Sequence, residues 1–579
     1  MKKSLKLLIF FLSSAFLFTA KAYAGDFQVD IVRNYYIDDA TKVKVVETHT
    51  VTNHPTSKNW INDNNNECFF VSVTAGNAEA LNQTLGTIKL TAAGKGINYT
   101  KEIKGDYASL CTKFPNSIKP GNKLEFKLEY NNYGLLEKKG ALMDFYAPGF
   151  KADTQKSTEV KSTDYSYLTY VYSAKILPDI NFVTPDQTEI VDAGAYRKYT
   201  FSYEALLNKY IWIQFGRKQF YKFKITQEAT ATDNINTGYT NEYRLIAPRD
   251  VDEANIYQKV YFDRIDPLPA YIETDTDNNL IMVFKINTSE KRIITISGYT
   301  EVGRNALAVD VTTSGLVSSI GGEFRQYLQA ASYWEVNDPT IIAKTREVVG
   351  SETNVYLIAK KLYDFVIDRI DYSQVKRFGL NERQGAKKTL NGGAAVCMEY
   401  SDLFLTMSRA AGVPARAVFG YGYDSKQQVD KQEAHQWVQI YLPGLQKWTS
   451  VDVTWGESGL QMAEGNLNHF FTHVASVDPN TPSLVKRMSY GSNASLQVPQ
   501  YAIEATTDIK DLIATLKTQS TLLSQYPKPA AVDNFFASLL EKLSFLKTLN
   551  VSTIMIIAGS VLMIFSVRGI VKMLKQEEK

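Results

Sequence analysis

The chain has 579 residues, 44% of them hydrophobic and 22% charged, which is too long for a single hydrophobic core and too apolar for disorder to dominate. Its 64 basic and 61 acidic residues are spread along the chain and leave a formal charge of only +3. The basic stripe that a phosphate backbone requires is missing, so no nucleic-acid partner is expected. The 35 Tyr and 29 Phe favour strands.

Residues 1–24 hold Lys2, Lys3 and Lys6, an apolar run from Leu7 to Phe18 and the small-x-small triplet Ala22-Tyr23-Ala24. This is the pattern of a cleaved secretory signal. An uncleaved anchor is the alternative, but the run falls short of the ~20 residues of a span. Cys68 and Cys111 follow among strand-like segments and are the candidate disulfide, leaving Cys397 as a free thiol. Spacing does not fix pairing, so two free, buried cysteines are the other reading.

From Asp26 to about residue 300 the sequence alternates between apolar and polar residues, as in Lys123-Leu124-Glu125-Phe126-Lys127-Leu128-Glu129-Tyr130 and in Tyr221-Lys222-Phe223-Lys224-Ile225. We expect an N-terminal β-sandwich over 25–200 and a second β-rich segment over 201–315. Beyond residue 315 the apolar spacing becomes three and four, predicting helices over Phe324–Tyr333, Thr340–Val349 and Asn354–Ile370, the last with Leu357, Leu362, Phe365 and Ile370 inward. A mixed domain is expected over 320–480. The Ser-, Gln- and Asn-rich 481–548 reads as a stalk. Val551 to Val567 carries no charge and precedes Arg568, Lys572 and Lys575, which predicts one span within 551–574 with a short cytoplasmic tail. A buried core helix is the alternative, disfavoured because the stretch is terminal and apolar on all faces.

The segment from Asn391 to Arg416 brings a cysteine to the start of a helix through a Gly392-Gly393 loop, and Gly412 with Pro414 closes that helix. In the first turn the unpaired N–H groups and the helix dipole favour a thiolate and can hold an oxyanion. The thiol's partners are sought among five histidines. His435 lies in the alternating strand Glu433-Ala434-His435-Gln436-Trp437-Val438, and Asp452 in the next strand, past a Pro443-Gly444 turn. A hairpin brings the carboxylate to the imidazole, giving nucleophile, base and orienter. Trp437 is expected in the core, while Trp455 and Tyr400 are candidates for the substrate groove. His469 and His473 sit four apart without further ligands, so a surface or packing role and no metal are expected.

The Gly-rich loop, the helix-borne Cys397, Gly412-Val413-Pro414-Ala415-Arg416, His435-x-Trp437-Val438 and Trp448-x-x-x-Asp452 occur in one order. Together they resemble the transglutaminase-like superfamily over roughly 340 to 475. The resemblance implies a papain-like core with Cys397, His435 and Asp452 as the catalytic triad; the Asp-rich stretches lack a regular calcium-ligand spacing, so no cofactor is expected. Ala395 and Val453 stand where many relatives carry glycine and proline. The strand-rich region, including Pro267 to Val302, more loosely resembles the β-sandwich domains of bacterial membrane proteins of this kind.

The expected fold class is therefore α+β: β-sandwich material, a papain-like transglutaminase core and a single C-terminal transmembrane helix. The bulk faces away from the cytoplasm and acts on a protein or peptide substrate of the cell envelope. The resemblance favours peptidase or amidase hydrolysis; cross-linking acyl transfer and a catalytically silent scaffold are the alternatives.

Overall fold

The computed structural model describes residues 27–507 and Leu512, apart from 74–76, 150–162, 175–178, 195, 208, 230–239, 288–291, 380–381 and 480–498. The expected signal sequence, most of the stalk and the 551–574 span lie outside the described residues. Among the described residues no helix is long and apolar enough to cross a membrane. The chain forms two units, one from 1–137, 145–177 and 185–211, the other from 138–144, 178–184 and 212 onward. The division expected near residue 200 thus falls at Ile211/Trp212, and 212–315 shares a unit with the helical segment.

In the first unit an eight-stranded sheet has Phe27–Ile37 at its centre, antiparallel to Val43–Asn53 and parallel to Thr163–Ala174. Period-2 burial drives it: Val43, Val45 and Val51 turn one face inward, alternating with half-buried or exposed neighbours. A second sheet, of Asn66–Ser72, Tyr107–Lys113 and Thr100–Lys104, pairs Cys68 opposite Cys111, and a disulfide joins them.

Between these sheets His49 stacks on Phe69 and places its Nε2 2.7 Å from Glu47 and its Nδ1 2.5 Å from Glu67. Arg33 holds the other oxygen of Glu47 at 2.6 Å. Burial alone would lower the His49 pKa, but the two carboxylates outweigh it and push it up to about 8. Because the folded value exceeds the unfolded one, this stability is fully present below about pH 6.5 and is lost as pH rises through about 8. We expect a loss of ~2 kcal/mol across that window. It should be measured as the native-minus-His49→Gln difference in hydrogen-exchange free energy of the Val43–Asn53 amides; a pH-independent difference would refute it.

The second unit begins with a five-stranded antiparallel sheet ordered Val251–Asp252, Ile256–Asp266, Arg292–Arg304, Lys218–Ala229 and Gln500–Thr506, beside the three-stranded sheet of Thr240–Ala247, Leu280–Asn287 and Tyr271–Thr274. Tyr221, Phe223, Met282, Phe284, Ile296 and Ile503 fill their common core. Gln500–Thr506 therefore belongs to the globular unit, and the stalk expected from 481 is corrected: Tyr501 and Ile503 are buried, and their strand pairs along Phe220–Thr226.

The helical part follows. Pro339–Val349 and Val355–Arg369 form as expected, capped by Asp338 and Asn354. The buried stripe of the second is Val355, Ile358, Ala359, Leu362, Tyr363 and Val366, so Leu357 and Phe365 stand at its margin. The helix expected over Phe324–Tyr333 is a 3-10 segment, Gly322–Leu328. Two glycines at its start weaken an α-helix, and Phe324 is held by stacking on Tyr441 at 3.8 Å. Cys397–Ala410 packs between Val355–Arg369 and a four-stranded antiparallel sheet ordered Lys447–Val451, Glu433–Leu442, Ala415–Gly422 and His469–Ala475.

Candidate active site

Cys397 is the first residue of its helix, half-buried, and the chain's free thiol. Gly392, at φ +101, turns the preceding loop. Gln384 Nε2 and Lys376 Nζ donate to the Ala394 carbonyl at 2.7 and 3.3 Å, and Ser373 N–H to that of Ala395 at 2.8 Å. Buried Glu399 completes this support: it accepts from Val396 N–H at 3.0 Å and pairs with Lys376 at 2.7 Å. A carboxylate in the first turn also suits the helix dipole. The helix supplies no carbonyl for the N–H groups of Cys397 and Met398, which leaves them available to an oxyanion.

His435 lies on Glu433–Leu442, opposite Gly420. A side chain at Gly420 would collide with the Trp437 indole and the Phe470 carbonyl, so glycine lets the strands close behind the imidazole. Asp452 follows Lys447–Val451 and caps the turn Val453–Gly456, its Oδ1 accepting Trp455 N–H at 3.1 Å. Its Oδ2 lies 2.8 Å from His435 Nε2, with both side chains nearly buried. His435 also lies close enough to Cys397 for the thiol to add to the shift of its pKa. Burial would lower the His435 pKa, but Asp452 and Cys397 outweigh it and push it up to about 10. Burial likewise would raise Asp452, yet His435 and His469 hold it well below the usual carboxylate range.

The structure thus brings Cys397, His435 and Asp452 together. Trp455 is half-buried and stacks on His435 at 5.2 Å, forming a wall beside the imidazole. Trp437 is core, 1% exposed. Tyr400 is corrected as a groove residue: it is fully buried, its hydroxyl 2.8 Å from both Glu457 and the Ile370 carbonyl. The helix is buried on nearly every face, so one turn from the thiol leads into the core rather than the groove. Tyr372, unnoticed in the sequence, stands half-buried close enough to Cys397 to feel its charge; burial first, then Cys397, push its hydroxyl up to about 12.

His469 is the second omission. It sits on a strand, not a helix, is 5% exposed, and its Nε2 lies 2.9 Å from Asp452 Oδ2. The surface-or-packing expectation is therefore corrected for His469. It describes His473, which stacks on Phe419 at 4.9 Å and which burial lowers to about 3. The ligand atoms of His435, Asp452 and His469 lie within 4.8 Å of one another, a spacing that a metal could use; in this structure both imidazoles are hydrogen-bonded to the Asp452 carboxylate.

Beneath the site, buried Asp402 ties three elements together. It accepts from Trp334 Nε1 at 2.8 Å, Gln436 Nε2 at 3.0 Å and Arg383 Nε and Nη2 at 2.7 and 2.6 Å.

A helix-borne thiol, an imidazole and a carboxylate on neighbouring antiparallel strands form the layout of a papain-like thiol site. Residues 342–453 match the model of the transglutaminase-like superfamily, which makes this stretch a transglutaminase-like module. Solved structures similar to the chain include a cysteine-protease candidate from Cytophaga hutchinsonii, 15% identical, covering 50% of this chain and 91% of that one at a TM-score of 0.36. Another is the periplasmic domain of TgpA from Pseudomonas aeruginosa, 16% identical, covering 40% and 87% at a TM-score of 0.23. No curated protein matches the chain.

Proposed function

We propose that the module is a cysteine-dependent amidase or peptidase, acting on a protein or peptide of the cell envelope from a chain anchored by one C-terminal helix with its bulk outside the cytoplasm. The observation that carries the chemistry is the buried His435–Asp452 pair at 2.8 Å, close to a half-buried thiol at a helix start. The signal-like residues 1–24 and the apolar stretch within 551–574 support the placement.

Cys397 sulfur attacks the amide carbon, the oxyanion takes the helix-start N–H groups, and His435 gives its proton to the departing nitrogen as the C–N bond breaks. Water, losing a proton to His435, then attacks the thioester; the C–S bond breaks and a carboxylic acid leaves. Hydrolysis is favoured over transfer to an amine because Cys397 is only half-buried, which leaves water a path to a thioester there.

p-Nitrophenyl acetate supplies a substrate-independent test on the full chain. We expect an acetyl adduct on Cys397 by mass spectrometry, absent from Cys397→Ala, that decays in water no slower than with added methylamine. Faster release to methylamine would indicate cross-linking chemistry. No adduct would refute the enzyme reading and favour a silent peptide-binding scaffold.

A further inference from the structure

The mechanism above leaves one buried group beside the site unused. His469 lies at the start of the edge strand His469–Ala475, its ring 4.6 Å from that of Trp437 and 4.4 Å from that of Trp455. Its Nε2 meets the same Asp452 oxygen that His435 uses. The other Asp452 oxygen is taken by Trp455 N–H. Behind the carboxylate lies a cavity of only about 10 Å³, bordered by Asn255, Ser450, Glu464 and Asn466, room for at most one water. Two imidazoles and one backbone amide therefore hold Asp452.

The geometry points to His469 as a positioning residue that donates an Nε2–H to Asp452 and thereby fixes the carboxylate against which His435 is aligned. This inference rests on the thiol-enzyme reading. Two arguments lead to it. The charged groups facing His469 are Asp452, His435 and, across the small cavity, Glu464, which Arg304 approaches at 3.6 Å. With the two buried imidazole rings 5.4 Å apart, a second cation beside His435 is disfavoured. Burial, with the charge of His435, accordingly lowers the His469 pKa. A neutral imidazole has one N–H. Its Nε2 faces an acceptor-only carboxylate at 2.9 Å, whereas Nδ1 is 3.3 Å from the Asn466 carbonyl, so the proton belongs on Nε2.

His469 does not touch the thiol, so its effect must pass through Asp452 to His435. In metal sites, where a histidine is likewise oriented through a hydrogen-bonded carboxylate, losing such outer support costs roughly 10- to 100-fold, and a loss of the same order is expected here. A glutamine can supply the same neutral donor, and a phenylalanine can fill the space between the two tryptophans without one.

The test follows acetylation of Cys397 by p-nitrophenyl acetate against pH in full-length native protein, His469→Gln, His469→Phe and His435→Ala. His469→Phe should lose roughly 10-fold or more near neutral pH and take on the profile of His435→Ala, while His469→Gln stays within about 3-fold of native. Equal slowing of both His469 variants would reduce His469 to packing and overturn the proposal. Native behaviour of both, with His435→Ala slow, would overturn it too and leave the thiol reading intact. If His435→Ala also matches native, the thiol reading itself fails and this proposal with it. Histidine ¹⁵N NMR of the native protein needs no variant to fold: His469 as the neutral Nε2–H tautomer from about pH 5 to 9 supports the proposal, and an Nδ1–H tautomer or an imidazolium overturns it.

Discussion

Replacing His435 with alanine is expected to slow acylation of Cys397 by about 100- to 10,000-fold, the range that a positioned acid-base group contributes. The loss should be one of chemistry rather than folding. Asp452 would keep its contacts with His469 at 2.9 Å and Trp455 N–H at 3.1 Å, so no buried carboxylate is stranded. Cys397 would keep its helix start, but not the imidazole that accepts its proton and protonates the leaving group. Circular dichroism should match native while p-nitrophenyl acetate turnover collapses. Near-native turnover would mean that His435 is not the base.

Asp402→Ala should do the opposite, abolishing activity by destroying the fold around the site. The carboxylate is fully buried and receives both Arg383 donors, the Trp334 indole and Gln436, which adjoins His435. Removing it leaves a guanidinium and two neutral donors without their acceptor, a loss of ~3–5 kcal/mol for a broken buried pair. Asp402→Asn should be milder, because it retains an acceptor oxygen for Trp334 and Gln436 while losing the ion pair. Urea unfolding followed by tryptophan fluorescence measures both, and a loss below about 1 kcal/mol in the alanine variant would contradict the account.

The three residues brought together here were legible because each is marked locally. The glycine loop and the Gly412–Pro414 stop delimit the helix, alternation marks the strand of His435, and a short turn binds Asp452's strand to it. What escaped depended on distant contacts. His469 and His473 stand four apart with no further ligand nearby in sequence, but their segment is an edge strand, and only its pairing with Ala417–Gly422 carries His469 to Asp452. Tyr400 lies one turn after Cys397, yet the helix is covered around it, with Ser401, Asp402, Thr406 and Ser408 buried as well. Gln500–Thr506 follows a polar stretch, so nothing local announces that it pairs with a strand nearly three hundred residues earlier.

The most direct test of the account is the iodoacetamide reaction of Cys397 against pH in the full-length native protein, His435→Ala and Asp452→Ala. Cys68 and Cys111 are joined, so the alkylation reports Cys397 alone. An imidazolium that persists to about pH 10 beside the sulfur should make native alkylation fast at and below neutral pH. His435→Ala should be slow there and recover only in alkali, with Asp452→Ala between them. Three superimposable profiles would show that thiol, imidazole and carboxylate do not act as one group, and would contradict the account.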